Sequence, residues 1–214
     1  MEYKKFDINS WNRKEHFEHY RNLQCLFTLT SEIEISIFLE YLKNNKYKFY
    51  SSIIYLISKL VNSTLEFKMS IKNNEIIIWD TLHPSYTIFN QKEEIFSAIW
   101  TQYNNDKGIF FKEFEKDNNN YKNFKSLFPK SKMPENHFNI SCIPWINYSG
   151  FSLHLPELKD YFQPIITIGK YNKKESNTIL PLTIQVHHSV CDGFHIAKFI
   201  NRLQEWCNAP EKYL

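Results

Sequence analysis

The segment that decides the fold is LPLTIQVHHSVCDGFH, residues 180–195. Residues 180–188 alternate between the two faces that a β-strand presents, and a short turn follows them. Residues 194–207 then carry a single apolar helical stripe, made of Phe199, Ile200, Leu203 and Trp206. The pattern predicts a strand that passes through a turn into an amphipathic helix.

Two adjacent histidines, His187 and His188, stand where the predicted strand ends. Consecutive strand residues point to opposite faces, so the two imidazoles cannot enter one site. A neutral imidazole at a strand end can take a proton from a hydroxyl near neutral pH. Three other interpretations stay open: two structural histidines, a metal site that adds Asp192 and His195, or a nucleophilic Cys191.

Further alternating segments surround this one in the last third of the chain. Residues 137–143 and 164–171 both predict strands, the first with one apolar and one polar face. Strands are also predicted at residues 86–89 and 94–100. Residues 68–72 and 75–79 predict a hairpin, because the intervening Asn73 and Asn74 tolerate positive φ.

Helical periodicity appears mainly in the first half of the chain. Residues 11–21 predict a helix capped by Ser10, residues 37–42 a short helix, and residues 53–61 a third helix. A further helix is predicted over residues 108–114, with its continuation to residue 128 left open, and the polar run 117–120 predicts a loop or a helix break. Helices and strands therefore interleave, which predicts an α/β two-layer sandwich with a large mixed sheet.

Composition narrows the classes of function. The 214 residues suit one domain spanning residues 1–214. Only 4 glycines are present, too few for a glycine-rich phosphate loop, and a net charge of +3 without clusters argues against nucleic-acid binding. No segment predicts a signal peptide or a membrane span. Four widely spaced cysteines without such a signal predict reduced thiols and a cytoplasmic protein.

The motif HHSVCDGFH, residues 187–195, resembles the HHxxxDG signature of the chloramphenicol O-acetyltransferase family, which dihydrolipoamide acyltransferases share more distantly. Similar segments occur in the family's order along the whole chain: WNRKEHFEHY, YKFY, EIIIWD, NISCIPW, PIITIGKY and FINRLQEWC. The resemblance implies the chloramphenicol acetyltransferase fold and acetyl transfer from acetyl-CoA to a hydroxyl of chloramphenicol, which confers antibiotic resistance. It also implies no permanently bound cofactor and no metal.

The resemblance assigns His188 as the general base, oriented by its own backbone carbonyl, and Ser141 as the hydroxyl that donates to the oxyanion. In the family the aspartate of the motif pairs with an arginine and holds the turn, which here are Asp192 and Arg13. The other site-supporting residues it implies are Thr167, Asn139 and Gln185. Without the resemblance, Ser141 would be interpreted as a solvated strand serine, and Arg13 as a surface charge.

The resemblance also implies two binding regions. The acceptor pocket would be lined by Tyr20, Leu23, Phe96, Ala98, Phe128, Phe151 and Leu153. Coenzyme A would contact Tyr50, Trp145, Lys170 and Tyr171. The family is trimeric with each site between two subunits, so a homotrimer is implied here.

Two departures from the family pattern fall on the acceptor side. His19 stands where an apolar aromatic is frequent, and residues 20–25 form a segment one residue shorter than in some relatives. These departures leave open the alternative that the protein is an acetyl-CoA-dependent O-acetyltransferase of the same fold acting on another hydroxylated small molecule. A non-catalytic binding protein of the same fold is disfavoured by the intact site residues. A lipoyl-dependent acyltransferase is disfavoured because no lipoyl domain or Ala/Pro-rich linker is present.

Overall fold

A mixed β-sheet with helices against one face forms the centre of the computed structural model, which describes residues 2–154 and 160–214. The strands in these residues are β1 (Tyr3–Lys5), β2 (Leu26–Glu34), β3 (Met69–Lys72), β4 (Glu75–Trp79), β5 (His83–Asn90), β6 (Ile95–Trp100), β7 (His137–Ile143), β8 (Ile165–Gly169), β9 (Asn172–Lys174) and β10 (Asn177–His187). The α-helices are α1 (Lys14–Asn22), α2 (Ser36–Asn44), α3 (Phe49–Asn62), α4 (Lys107–Tyr121) and α5 (Gly193–Asn208).

The large sheet has the strand order β2-β10-β8-β7-β5-β6, with β9 paired to β10. β7 runs parallel to both β5 and β8, and the other pairings are antiparallel. A separate three-stranded sheet has the order β1-β4-β3. This architecture confirms the predicted α/β sandwich with a large mixed sheet.

The two faces of the large sheet differ in chemistry. On β10, Leu182, Ile184 and Val186 are buried in the hydrophobic core, which also contains the apolar stripes of α3 and α5. The alternate residues of β10 point to the other face. They are Thr183, Gln185 and His187, all at most 5% exposed. This second face is therefore polar and buried at once.

The chain after β7 covers part of the polar face. The Tyr148 hydroxyl donates to the Thr167 carbonyl over 2.8 Å, and the Leu153 amide donates to Oε1 of Gln185 over 3.3 Å. The ring of Phe162 meets His187 edge-on, with centroids 5.3 Å apart. A cover that bonds to the polar groups below it allows them to be buried without losing their hydrogen bonds.

Several predicted elements are present with shifted ends. The hairpin β3–β4 turns at Asn73 and Asn74, whose φ angles are 52° and 63°, as the prediction required. The predicted Ser10 cap is wrong, because Ser10 ends a 3-10 turn (Ile8–Ser10) and α1 begins only at Lys14.

The predicted break at residues 117–120 is also wrong, since α4 continues through it and ends at Tyr121. Asp117 is buried there, with one carboxylate oxygen 2.6 Å from Nζ of Lys130 and the other accepting from the hydroxyl of Thr101 over 2.7 Å. A polar residue that finds buried partners stabilises the helix that the sequence pattern alone would have ended. None of the helices in residues 2–154 and 160–214 has the length and hydrophobicity needed to cross a membrane.

Stability should depend on pH through His83 at the start of β5. Burial, and then the nearby His137, lower the pKa of His83 from 6.5 to about 4. Because the unfolded chain binds the proton more readily, the stability contribution is complete above pH 6.5 and is lost as the pH falls toward 4. We expect the melting temperature to fall across this window, and His83→Gln to flatten the fall. His16→Gln, on an exposed side chain, is the matched control; equal slopes in all three proteins would contradict the assignment.

Candidate active site

His188 opens the turn between β10 and α5, and its surroundings fix which nitrogen carries the proton. Its Nδ1 lies 2.9 Å from the carbonyl oxygen of Cys191, and a carbonyl can only accept, so Nδ1 holds the hydrogen. Nε2 of the neutral ring then keeps its lone pair, which a general base requires. The orienting carbonyl is that of Cys191 and not of His188 itself, because the turn folds back over the ring.

Other groups hold the His188 ring and backbone in place. The ring of Tyr20 stacks on the imidazole with centroids 3.8 Å apart and an interplanar angle of 19°, and Phe27 packs against it at 5.0 Å. The backbone N–H of His188 donates to the Cys25 carbonyl over 2.7 Å. The sequence placed Tyr20 only in the acceptor pocket; no spacing signal indicates its contact with His188, since the two residues lie far apart in the chain.

His187 has a different environment. It is 1% exposed, and its Nδ1 accepts hydrogen bonds from the hydroxyl and the backbone N–H of Ser189 at 2.7 and 3.2 Å. Half-buried His188 instead lies at the molecular surface. The two histidines thus separate to different surroundings, as the strand argument predicted. Within the described part of the chain, no three His, Cys, Asp or Glu side chains are grouped as metal ligands.

Asp192 caps α5 and forms the centre of a charged cluster. Its carboxylate accepts from the backbone N–H of Phe194 over 3.0 Å, and it forms an ion pair with Arg13. Nδ1 of His195 lies 2.7 Å from the same carboxylate. Burial raises the pKa of Asp192, but His195 and Arg13 outweigh it and bring the pKa down to about 2. Asp192 has no contact with the His188 ring among these bonds, so the geometry favours a structural role.

Ser141 lies in a row of hydroxyl side chains that crosses the polar face. Register pairs Ser141 on β7 with Thr167 on β8, and Thr167 with Thr183 on β10. The hydroxyls of Thr183 and Thr30 are 2.8 Å apart at the end of the row. Register partners point to the same face of a sheet, so the row brings Ser141 and Thr167 together.

Asn139 and Gln185 lie in the adjacent row, both aligned with Ile165. Asn139 donates to the hydroxyl of Tyr161 over 2.7 Å. Oε1 of Gln185 accepts from the Thr28 hydroxyl over 3.3 Å, whereas its Nε2 is buried without a hydrogen-bond partner among the described residues. A buried donor of this kind is costly to leave unpaired.

A cleft of about 850 Å³ opens beside Ser141. Its lining includes all four residues that the sequence assigned to coenzyme A, Tyr50, Trp145, Lys170 and Tyr171. The walls are mostly apolar, and two lysines, Lys122 and Lys170, also line the cleft. Aromatic walls with a few cations suit a long ligand that carries phosphates.

The residues assigned to the acceptor fall into separate groups. Tyr20 lies on His188, Phe96 lines the cleft near Ser141, and Phe151 contacts Tyr148 with ring centroids 5.9 Å apart. Ala98 donates its backbone N–H to Leu127 over 2.7 Å, next to Phe128 in sequence. Several of the assigned side chains are well exposed, at 40–62%: Leu23, Phe96, Phe128 and Leu153. Exposed apolar side chains in such number are typical of a surface that binds a partner or ligand.

His188 and Ser141 do not meet within one chain. Ser141 aligns with Thr183 through Thr167, and His188 lies five residues beyond Thr183. At about 3.3 Å per residue and 4.8 Å per strand spacing, the two side chains are roughly 15–20 Å apart. His188 is also not part of the lining of the cleft that contains Ser141. A single chain therefore presents two halves of the predicted catalytic pair on different parts of its surface.

Comparison with known proteins identifies the family. A sequence model described as chloramphenicol acetyltransferase matches residues 1–204. Chloramphenicol acetyltransferase 3 of Escherichia coli is 47% identical over 213 residues, which cover 99% of this chain and 100% of that protein. The chain belongs to the chloramphenicol acetyltransferase family. Chloramphenicol acetyltransferase 2 of Haemophilus influenzae is 42% identical over 97% of this chain and 98% of its own.

Solved structures share the fold at lower identity. A chloramphenicol acetyltransferase superposes with a TM-score of 0.87 over 96% of this chain and 100% of its own, at 20% identity. The dihydrolipoamide acetyltransferase of Azotobacter vinelandii superposes with a TM-score of 0.72 over 93% of this chain and 88% of its own, at 13% identity. These likenesses confirm the predicted fold.

In this member of the chloramphenicol acetyltransferase family, we expect Asp192 and Arg13 to act as a structural pair. Asp192→Asn and Arg13→Val should each lower the free energy of unfolding by about 1–3 kcal/mol, because the remaining partner is left partly buried and unpaired. The double variant should lose less than the sum of the two. Thermal melts and kinetics on the three variants measure this.

The exposed pair Lys5–Glu75 provides the matched control, because solvent screening should make the coupling between its two partners much weaker than that between Asp192 and Arg13. A proton relay would give a different result. Asp192→Asn would then abolish turnover at unchanged stability, and Arg13→Val would have almost no effect. Strictly additive losses at Asp192 and Arg13 would contradict the pairing.

Proposed function

We propose that this single-domain protein is an acetyl-CoA-dependent chloramphenicol O-acetyltransferase that confers resistance to the antibiotic. The observation that carries the proposal is the hydrogen bond from Nδ1 of His188 to the Cys191 carbonyl, which leaves Nε2 as a proton acceptor in a chain 47% identical to chloramphenicol acetyltransferase 3. The chemistry needs no resident cofactor and no metal, because a thioester is already activated toward a hydroxyl nucleophile.

The proposed reaction passes through one tetrahedral intermediate. Nε2 of His188 takes the proton of the acceptor hydroxyl while that oxygen bonds to the thioester carbon of acetyl-CoA. The carbonyl π bond opens, and the Ser141 hydroxyl donates to the resulting oxyanion. The intermediate collapses, the carbon–sulfur bond breaks, and the imidazolium of His188 returns its proton to the leaving thiolate. The acetyl group reaches the acceptor without an acetyl-enzyme.

The cleft supports the proposed site for coenzyme A. Tyr50, Trp145, Lys170 and Tyr171 line it together with Ser141, so a thioester bound there would place its carbonyl near the Ser141 hydroxyl. Thr167, beside Ser141 in the register, would hold a water near the oxyanion, and Asn139 and Gln185 would support the strands behind it. Since acetyl-CoA is a cytoplasmic metabolite, the cytoplasm is the proposed compartment.

We further propose a homotrimer with each site between two subunits. The separation of His188 from Ser141 within one chain supports it, because a second copy would bring the base of one subunit to the cleft of the next. The exposed apolar side chains Leu23, Phe96, Phe128 and Leu153 would then line the acceptor pocket together with Tyr20, Ala98 and Phe151. A head-to-tail contact that closes into a ring is a common form of symmetric assembly.

One assay tests the function. Release of free thiol from acetyl-CoA is followed with and without chloramphenicol, and the product is examined by mass spectrometry for one added acetyl group. We expect release to require chloramphenicol and to be absent in His188→Ala. Release that is independent of chloramphenicol, or none at all with a correctly folded protein, would contradict the proposal.

A second acceptor class is favoured by one observation. His19 is exposed, and its ring meets Tyr20 edge-on with centroids 4.9 Å apart, while Tyr20 stacks on the base. A polar ring next to the stacking partner of the base suits a hydroxylated acceptor more polar than a nitrophenyl compound. The same thiol assay with a panel of hydroxylated small molecules tests this alternative, which requires one of them to exceed chloramphenicol in kcat/KM.

A further inference from the structure

His195, on the first turn of α5, lies between two carboxylates next to the turn that carries His188. Its Nδ1 is 2.7 Å from Oδ1 of Asp192, and its Nε2 is 3.5 Å from Oε1 of Glu66, in the 3-10 turn Glu66–Lys68. A nitrogen and a carboxylate oxygen at 2.7 Å need a proton between them, so Nδ1 of His195 carries one. The side chains of His195 and Glu66 are mostly buried, at 15% and 19% exposed, which strengthens the electrostatic interaction between them.

One peptide group links His195 to the base. The carbonyl of Cys191 accepts from Nδ1 of His188 at 2.9 Å, and the nitrogen of the same peptide belongs to Asp192, whose carboxylate His195 contacts. Because Nδ1 of His195 donates to that carboxylate, it does not also accept from the Asp192 N–H 3.3 Å away, and His195 acts on the peptide through the Asp192 side chain. The orientation of this peptide plane therefore decides where the carbonyl meets the His188 ring. Asp192 supplies the nitrogen of this peptide, so contacts that fix Asp192 also restrict rotation of the peptide plane.

Two basic side chains contact Asp192 from different elements. Arg13 reaches it from the N-terminal end of α1, while His195 reaches it from α5 and is itself fixed by Glu66. Arg13 contacts Oδ2 of Asp192 through a single nitrogen, Nη1, and the backbone N–H of Phe194 donates to Oδ1 over 3.0 Å. The His195 ring adds a shorter contact of 2.7 Å on Oδ1, from a side chain that is itself packed against Glu66.

We propose that His195, held by Glu66, is a positioning residue for the base: it fixes Asp192 and the Cys191–Asp192 peptide, and so keeps His188 in the tautomer with the proton on Nδ1. The catalytic consequence rests on the proposed function, whereas the effect on the tautomer does not. When the peptide plane turns, Nδ1 of His188 loses its acceptor, and the ring adopts the commoner tautomer with hydrogen on Nε2. That tautomer cannot accept the hydroxyl proton at Nε2.

The test uses 15N-labelled histidine in the full protein. Imidazole 15N shifts report the tautomer of His188, whose signal is assigned by its loss in His188→Ala. We expect the Nδ1–H tautomer in the wild-type protein and a substantial fraction of the Nε2–H tautomer in His195→Ala. His195→Gln should restore much of the wild-type signal, because the side-chain amide N–H of glutamine can donate to the Asp192 carboxylate in place of the imidazole. Glu66→Gln should give an intermediate result.

Kinetics give a second readout. His195→Ala should lower kcat about 2- to 30-fold, the range typical of coupling through a packed network, with the KM for both substrates nearly unchanged. The pH profile of kcat/KM should also move, since it reports the pKa of the base in the free enzyme. Asp106→Ala is the matched control: Asp106 caps α4 through the N–H groups of Gly108 and Ile109, far from His188 in the fold. It should lower stability comparably and leave both the tautomer and kcat unchanged.

The possible outcomes separate the two proposals. Wild-type 15N shifts for His188 in His195→Ala would overturn the positioning role and reduce His195 to a helix cap. Identical changes in His195→Ala and Asp106→Ala would also overturn it, because they would reflect lost stability alone. If the wild-type protein fails to acetylate chloramphenicol, the proposed function fails, but the 15N measurement still decides the role of His195.

Discussion

His188→Ala is expected to lower kcat by about 10²–10⁴-fold, the range typical of a positioned general base. Neither of the other two histidines in the motif can replace it: His187 is buried and bonded to Ser189, and His195 is bonded to Asp192. The KM for both substrates should change little, because the imidazole acts mainly on the proton. Initial rates at saturating acetyl-CoA and chloramphenicol measure the loss, and circular dichroism checks the fold.

His187→Ala is the matched control, on the neighbouring residue of the same sequence motif. It should reduce stability, since it empties a buried site against Phe162, while the turnover of the folded fraction stays close to the wild-type value. If the two variants lost turnover equally while remaining folded, the assignment of the base to His188 would be wrong.

The second large effect is expected at Ser141. Ser141→Ala should lower kcat by roughly 10²-fold or somewhat more with little change in either KM, because its hydroxyl matters most once the oxyanion has formed. Thr183→Ala is a useful control, because Thr183 belongs to the same hydroxyl row but is 2% exposed and bonded to Thr30. A Ser141→Ala variant with nearly normal kcat would return Ser141 to the role of an ordinary strand serine.

Mixing the two inactive variants tests the proposed site between subunits. If each site combines His188 of one subunit with Ser141 of the next, trimers can be reassembled from equal amounts of His188→Ala and Ser141→Ala chains. Roughly a quarter of the sites in these trimers should then contain both intact groups. Activity should therefore reappear after denaturation and joint renaturation, and not after simple mixing of the two native proteins. If mixed trimers form in the expected proportions but regain no activity, both groups of a site must come from one subunit.

The sequence was sufficient to predict those helices and strands in which the local periodicity matches the pattern of burial. The stripe of α5 and the alternation of β7, β8 and β10 were correctly predicted, because each residue's neighbours along the chain determine which side it presents. β2 was missed, although it pairs with β10 along its whole length. Its threonines, Thr28 and Thr30, are partly buried on the polar face, while Ser31 lies opposite Leu182 on the apolar face, so the pattern lacks the usual contrast between buried apolar and exposed polar residues.

The family resemblance, carried by HHSVCDGFH and the segments around it, was enough to name the family, the base and the oxyanion serine as predictions. Only the tertiary structure could decide how these residues are held. The tautomer of His188 depends on a carbonyl three residues away, its stacking partner Tyr20 comes from α1, and Glu66 reaches His195 from a separate turn. The distance between His188 and Ser141 was equally inaccessible, because strand order and register are set by long-range pairing and not by the residues beside them.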